Sequence, residues 1–191
     1  MKFLLALFSI YLSFFYFYLF ADTSNNDVKI IKSSILVLSQ DDLFKKSDPG
    51  RAILEIFEEK QSTLLAEAAA IEQQLIVEEK NLTEQRGKLN AEDFQILAEQ
   101  FDIKVEKMRK SRADKDKKLQ KNFAIWRKKF VQIVLPIIRE QMSRFNALVV
   151  LDSNNRGLIY DKKVDVTDVV IKRLNENFSR NPLILEQVIQ E

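Results

Sequence analysis

From Arg51 to about Lys88, apolar residues recur at spacings of three and four: Ile53, Ile56, Phe57, Leu64, Ala68, Ile71, Leu75, Leu82 and Leu89. Ala68, Leu75, Leu82 and Leu89 lie seven apart, a seam that only a partner helix can cover. The pattern halts at "RGKLNAEDF" and resumes with Phe94, Leu97, Ala98, Phe101, Val105 and Met108, then Leu119, Phe123, Trp126 and Phe130. Within the interruption Gly87 precedes Asn90, a good helix N-cap with Asp93 three residues on. If the chain folds back at Asn90, Leu75 faces Val105, Ile71 faces Met108, Phe57 faces Phe123 and Ile53 faces Trp126. Both stretches keep that register, which a single straight helix would not require. The pattern predicts an antiparallel helical hairpin with its tip near residues 87–93 and an arm about 55 Å long.

One section fits less well. Ala68 would face Arg112, and Leu64 would lie near Lys115. Small residues at 66 and 68–70 give the basic stems room to lie along the seam with their charges in water. The middle of the arm should therefore be thin and soft. The second helix outlasts the first, through "FVQIVLPIIREQMSRF" to about Phe145, and Pro136 is expected to kink it. Phe123, Trp126 and Phe130 are expected in a core where the arm enters a body.

The sequences flanking the hairpin read differently. "VKIIKSSILVLSQ" is β-branched and apolar, a strand from about Val28 to Leu38, and "QDDLF" follows as a turn. Ser47 or Asp48 then caps the first long helix, with Pro49 in its first turn. After the hairpin, "ALVVLD", the turn "SNNRG" and "LIY" read as a hairpin of two short strands. Thr167 or Asp165 caps a further helix to about Asn177, and the tail "SRNPLILEQVIQE" holds an apolar patch with the makings of a short helix. The class is α+β: a long helical hairpin, residues 50–130, projecting from a small β-rich body, residues 22–49 and 131–191. Three short strands and two short helices make a poor core for one chain, and oligomerisation through the body is the remedy.

Composition narrows the function. The chain has no Cys and no His, which removes thiol nucleophiles, the commonest general base and ordinary zinc sites. No catalytic constellation is visible, so neither an enzyme nor a cofactor or metal is expected. The formal net charge of +2 offers no global field for nucleic acid. That balance hides a separation. Twelve basic residues face three acidic ones between Lys104 and Lys129, while nine acidic face four basic between Glu55 and Glu92. The two helices can neutralise each other as solvated faces, or the surplus on the second can attract a client or anionic lipid headgroups. At the start, Lys2 and the uncharged "FLLALFSIYLSFFYFYLF" read as a signal peptide, residues 1–21, cut after Ala21. Retention as an uncleaved anchor would equally export the remainder.

The order of signal peptide, "ILVLSQDDLF", coiled-coil hairpin, "ALVVLD" and "DVTDVVIKRL" resembles the Skp/OmpH family of periplasmic chaperones over roughly residues 28–178. The resemblance implies a periplasmic homotrimer whose strands form a central β-body. Its three arms would enclose a cavity that holds unfolded outer-membrane proteins without ATP. It makes Ile35, Val37, Val149, Leu151 and Ile159 interface candidates. Phe94 and Phe101 near the tip, with Lys104, Lys107, Lys110, Lys117 and Lys121, become client-binding candidates, beside the plainer reading of seam packing and charge balance. The chain departs from the family in being nearly neutral and in carrying a tail beyond Phe178 with no evident counterpart. The rival reading is an envelope spacer or tether anchored by residues 3–20.

Overall fold

The computed structural model describes residues 31–190. The expected signal peptide, its cleavage site and residues 28–30 of the expected first strand lie outside the described residues. Strand β1 spans Ile35–Leu38, shorter than the Val28–Leu38 run read from the sequence, because Ile31 to Ser33 are not extended into a ladder. The "QDDLF" segment is not a turn but helix α1, Gln40–Lys46. Ser39 caps it by accepting from the Asp42 N–H at 3.1 Å, with Asp41 and Asp42 in the first turn and Lys45 and Lys46 in the last. Those charges complement the helix dipole, and burial of Leu43 and Phe44 anchors the helix.

Helix α2, Asp48–Gln85, starts as the sequence implies. Ser47 is its N-cap, accepting from the Gly50 N–H, and Pro49 lies in the first turn. Gly50 is required there, since a Cβ would sit 1.9 Å from the Phe44 carbonyl oxygen. Helix α3, Ala91–Phe145, runs unbroken through Pro136. Its N-cap is Asn90, whose side-chain oxygen accepts from the Asp93 N–H at 2.9 Å. The helix ends at Asn146, held in the left-handed region at φ 56°, where Asn is better tolerated than most residues. The turn between α2 and α3 is the hairpin tip.

The body is more helical than expected. Strand β2, Val149–Asp152, lies parallel to β1 with Ile35 opposite Val149 and Leu38 opposite Asp152. The third strand, expected at Leu158–Tyr160, does not form. A segment of three residues offers too few ladder bonds to hold itself; Leu158 and Tyr160 are half-buried while Ile159 between them is 96% exposed. The other side of β1 is lined instead by the chain around Asp165, where the Val166 N–H donates to the Val37 carbonyl at 2.9 Å. A short 3-10 turn, Lys162–Val164, leads into helix α4, Thr167–Arg180. Asp165 accepts from the Thr167 N–H, while Val166 occupies the cap position. The tail forms α5, Ile184–Ile189.

The core lies where these elements meet. Leu36, Ile53, Trp126, Phe130, Val134, Val170 and Leu174 are buried. The Phe44 ring meets Phe130 edge-on at 5.1 Å and Phe123 at 6.0 Å, and Phe123 stacks on Phe57 at 4.2 Å. Cross-links tie distant segments: the Ser39 N–H donates to the Thr167 hydroxyl, and the Asp48 N–H to Asn175 Oδ1. Among the described residues no helix is long and apolar enough to cross a membrane.

Candidate functional site

The arm begins where burial ends. From Leu54 through Lys118 no side chain is buried, because a two-helix coil covers each seam residue from one side only. The register read from the sequence is present, as the Phe57–Phe123 stack shows. Two ion pairs cross between the helices: Lys104 with Glu78, and Lys115 with Glu67 at 2.7 Å. Each is about half exposed, so each contributes only ~0.2–1 kcal/mol.

Mutual neutralisation therefore accounts for part of the basic surplus on α3. Lys107, Lys110, Lys117 and Lys121 form no ion pair with another described residue and lie exposed. Phe94 is half-buried at the tip, with the Arg86 guanidinium 5.9 Å from its ring centre. Phe101 is half-buried in the seam beside Leu82 and Leu97. Ile96 and Ile103, 50% and 65% exposed, were not singled out from the sequence. Their spacing of seven, off the seam, was the available signal.

Between the two cross-helix ion pairs the seam opens. Leu64, Ala68 and Ile71 of α2 and Met108 of α3 line a cleft of about 430 Å3, with Lys104, Lys107, Arg112 and Lys115 around it. This is the section in which the small Ala68 meets long basic stems. The thin section expected there is an apolar hollow with a cationic edge.

The body presents a second surface. Leu148, Val149 and Ile35 are exposed at the start of the strand pair, Leu148 by 79%, and Ile159 is exposed in the loop that follows β2. Among the described residues β2 is paired only with β1, leaving its outer backbone edge without a strand. Ile35, Val149 and Ile159 are thus available at the surface, and Leu151 is half-buried. Val37 is not available: it is 1% exposed. It sits between β2 and the Asp165 segment, so the sequence-based placing of Val37 at an interface is corrected to the core of its own chain.

The chemistry of the described residues is that of a surface. No cluster of His, Cys, Asp and Glu among them is arranged to hold a metal ion. The hydrogen bond that Lys46 donates to the Asp42 carboxylate keeps Lys46 protonated to higher pH than usual. Burial, followed by the Asp165 charge, raises the Tyr160 phenol. Both changes favour the forms these groups already have at neutral pH, so neither creates an acid or base.

Comparison with known proteins agrees with this architecture. A crystal structure from Caulobacter crescentus CB15, described as an OmpH-like outer membrane chaperone, superposes with a TM-score of 0.70 at 16% identity. The match covers 75% of this chain and 85% of that one, which establishes a shared fold. No curated protein matches the chain. The model of the family described as outer membrane protein (OmpH-like) matches residues 34–174, from just before β1 into α4. The chain belongs to the OmpH-like family.

Proposed function

We propose that the protein is an ATP-independent periplasmic holdase that, as a homotrimer, keeps unfolded outer-membrane β-barrel precursors from aggregating. The observation that carries this reading is the pairing of a bare arm with a bare body edge. An arm with no buried side chain from residue 54 to 118 is of little use as a core. It is well suited to many weak apolar and ionic contacts. Weak contacts let a client leave without an energy source, while their number keeps it bound. The exposed apolar residues Ile35, Leu148, Val149 and Ile159 of the body are where copies would join, leaving the arms to surround a cavity. Family membership and the chaperone description of the Caulobacter structure support the same reading. Lys107, Lys110, Lys117 and Lys121, exposed on the second helix, add attraction for acidic segments or anionic headgroups.

The test is the solution mass of the protein from Asp22 onward, by light scattering, alone and after dilution of a urea-unfolded outer-membrane barrel into it. The expected result is a mass of three chains that rises by one client while the solution stays clear. A monomer that leaves the barrel to precipitate would remove the proposal.

A further inference from the structure

The cleft halfway along the arm is an unfilled place in an otherwise continuous seam. Its floor is apolar, made by Leu64, Ala68, Ile71 and Met108. The charges around it do not cancel: Lys115 is bound to Glu67, Lys104 to Glu78, and Arg112 lies 3.9 Å from Asp116. Lys107 is left at the edge without an ion pair to another described residue. An apolar hollow beside one uncompensated ammonium has a definite complement, an apolar group with a single negative charge next to it.

Size and access narrow this further. About 430 Å3 is at the lower end of the roughly 300–1,000 Å3 typical of small-ligand sites. It has room for a large side chain with part of its neighbour, and none for an element of folded structure. The two cross-helix pairs lie eleven residues apart on α3, or about 16 Å, and Lys104, Glu67 and Lys115 belong to the lining of the cleft. A side chain from a passing backbone can enter the cleft from its open side.

We propose that this cleft is a client side-chain pocket that takes one aromatic or large aliphatic residue of an unfolded segment, with an adjacent Asp or Glu carboxylate paired to Lys107. The proposal rests on the holdase reading and gives it a sequence preference: apolar residues next to acidic ones engage the arm here, and apolar residues next to basic ones do not. The small size of the site keeps each engagement weak.

The chain contains three methionines, Met1, Met108 and Met142. Met108 lines the cleft and Met142 lies half-buried in the body portion of α3. The full chain, purified after export with 13C-methyl methionine, would be titrated with unstructured peptides carrying Trp-Asp, Trp-Lys or Ala-Asp. The Met108 methyl signal is expected to move with Trp-Asp at least tenfold more tightly than with either control, while Met142 stays still. Ala68→Leu restores a seam residue and fills the hollow, so it should abolish the shift without unfolding the arm. Lys107→Gln should keep Trp binding but reduce the Asp preference about two- to fivefold, the worth of an exposed charge pair.

A Met108 signal unmoved at millimolar peptide, in protein that still holds an unfolded barrel, would overturn the pocket and leave the holdase reading intact. Peptide binding at Met108 in protein that lets barrels precipitate would support the pocket and overturn the holdase reading. A shift with an anionic detergent such as dodecyl phosphate, and with none of the peptides, would overturn the pocket in favour of an amphiphile site.

Discussion

In the body, Phe44 is met by Phe123, Phe130 and the Arg127 guanidinium, 5.0 Å over its ring. Ile53 and Leu36 are wholly buried. Thirty-odd ångströms out along the same two helices, on the order of twenty residues further, Leu75 and Val105 reach only half-burial. The residue types are alike, and what differs is the number of elements that can cover them. In the body α1, α4 and the strand pair close over the helices; in the arm each helix has only the other. The body therefore sets global stability, and the arm opens locally at lower cost. The proposed holdase, which would adapt its grip while staying assembled, would gain from this division.

The sharpest way to break the contrast is to remove matched side chains from the two regions. Leu36→Ala, in the body and wholly buried, should cost about 2–5 kcal/mol, the usual loss for a buried leucine. Leu75→Ala, which is half covered, should cost about 1 kcal/mol, roughly half the full-burial value. Urea denaturation of both variants would read this directly. Equal losses would mean that the arm is as tightly covered as the body, for example by a second copy lying along it.

The next effect concerns assembly. Val149→Asp with Ile159→Asp places two charges on exposed apolar residues of the body, and burying an unpaired charge in an interface is costly. The mass at micromolar concentration should fall from three chains to one, with circular dichroism unchanged. A variant that remains three chains would move the interface away from these residues. Leu151 is a poorer choice of site, because half-burial in its own chain mixes folding with assembly.

Smaller in effect is the tail. Helix α5 buries Val188, and the Gln190 carbonyl accepts from Lys129 Nζ at 2.6 Å. The segment lies beyond the family match at residue 174. Ending the chain after Arg180 should cost about 1.5–3 kcal/mol, the worth of one buried aliphatic side chain. Hydrogen exchange should quicken near residues 50–57 and 122–130 but not at the tip. An unchanged exchange pattern would mean that the tail rests on the body without supporting it.

These regions also differ in how well the sequence disclosed them. The arm was legible because its information is local and periodic. Seven-residue spacing from Ala68 to Leu89 and the Asn90 cap set the fold-back, and Phe57 stacks on Phe123 as the register requires. The body was less legible because its strands depend on distant partners. Leu158–Tyr160 has strand-like composition but nothing in this chain to pair with. Val37 looked like an edge residue until Asp165, remote in sequence, came to lie against it. Helix α1 was overlooked because seven residues are too few for periodicity to show, although Ser39, the paired aspartates and the paired lysines spelled its ends. The cleft lay in between: the Ala68–Arg112 mismatch was visible, but its apolar floor depended on how far the basic stems lean outward.

The finest prediction concerns charge alone. Lys107, Lys110, Lys117 and Lys121 lie exposed on α3 and make no ion pair with a described residue, so folding gains little from them. Converting all four to Gln should leave helicity unchanged and stability within about 0.5 kcal/mol, as is usual for surface positions. Charges that do nothing for the fold can still draw in an acidic client segment, an attraction that fades as salt shortens the Debye length to about 8 Å at physiological ionic strength. Client affinity should thus fall severalfold at low salt and converge with the parent protein at high salt. If affinity at low salt is unaltered, these lysines only keep the arm soluble, and its grip on clients comes from Ile96, Ile103 and the apolar cleft.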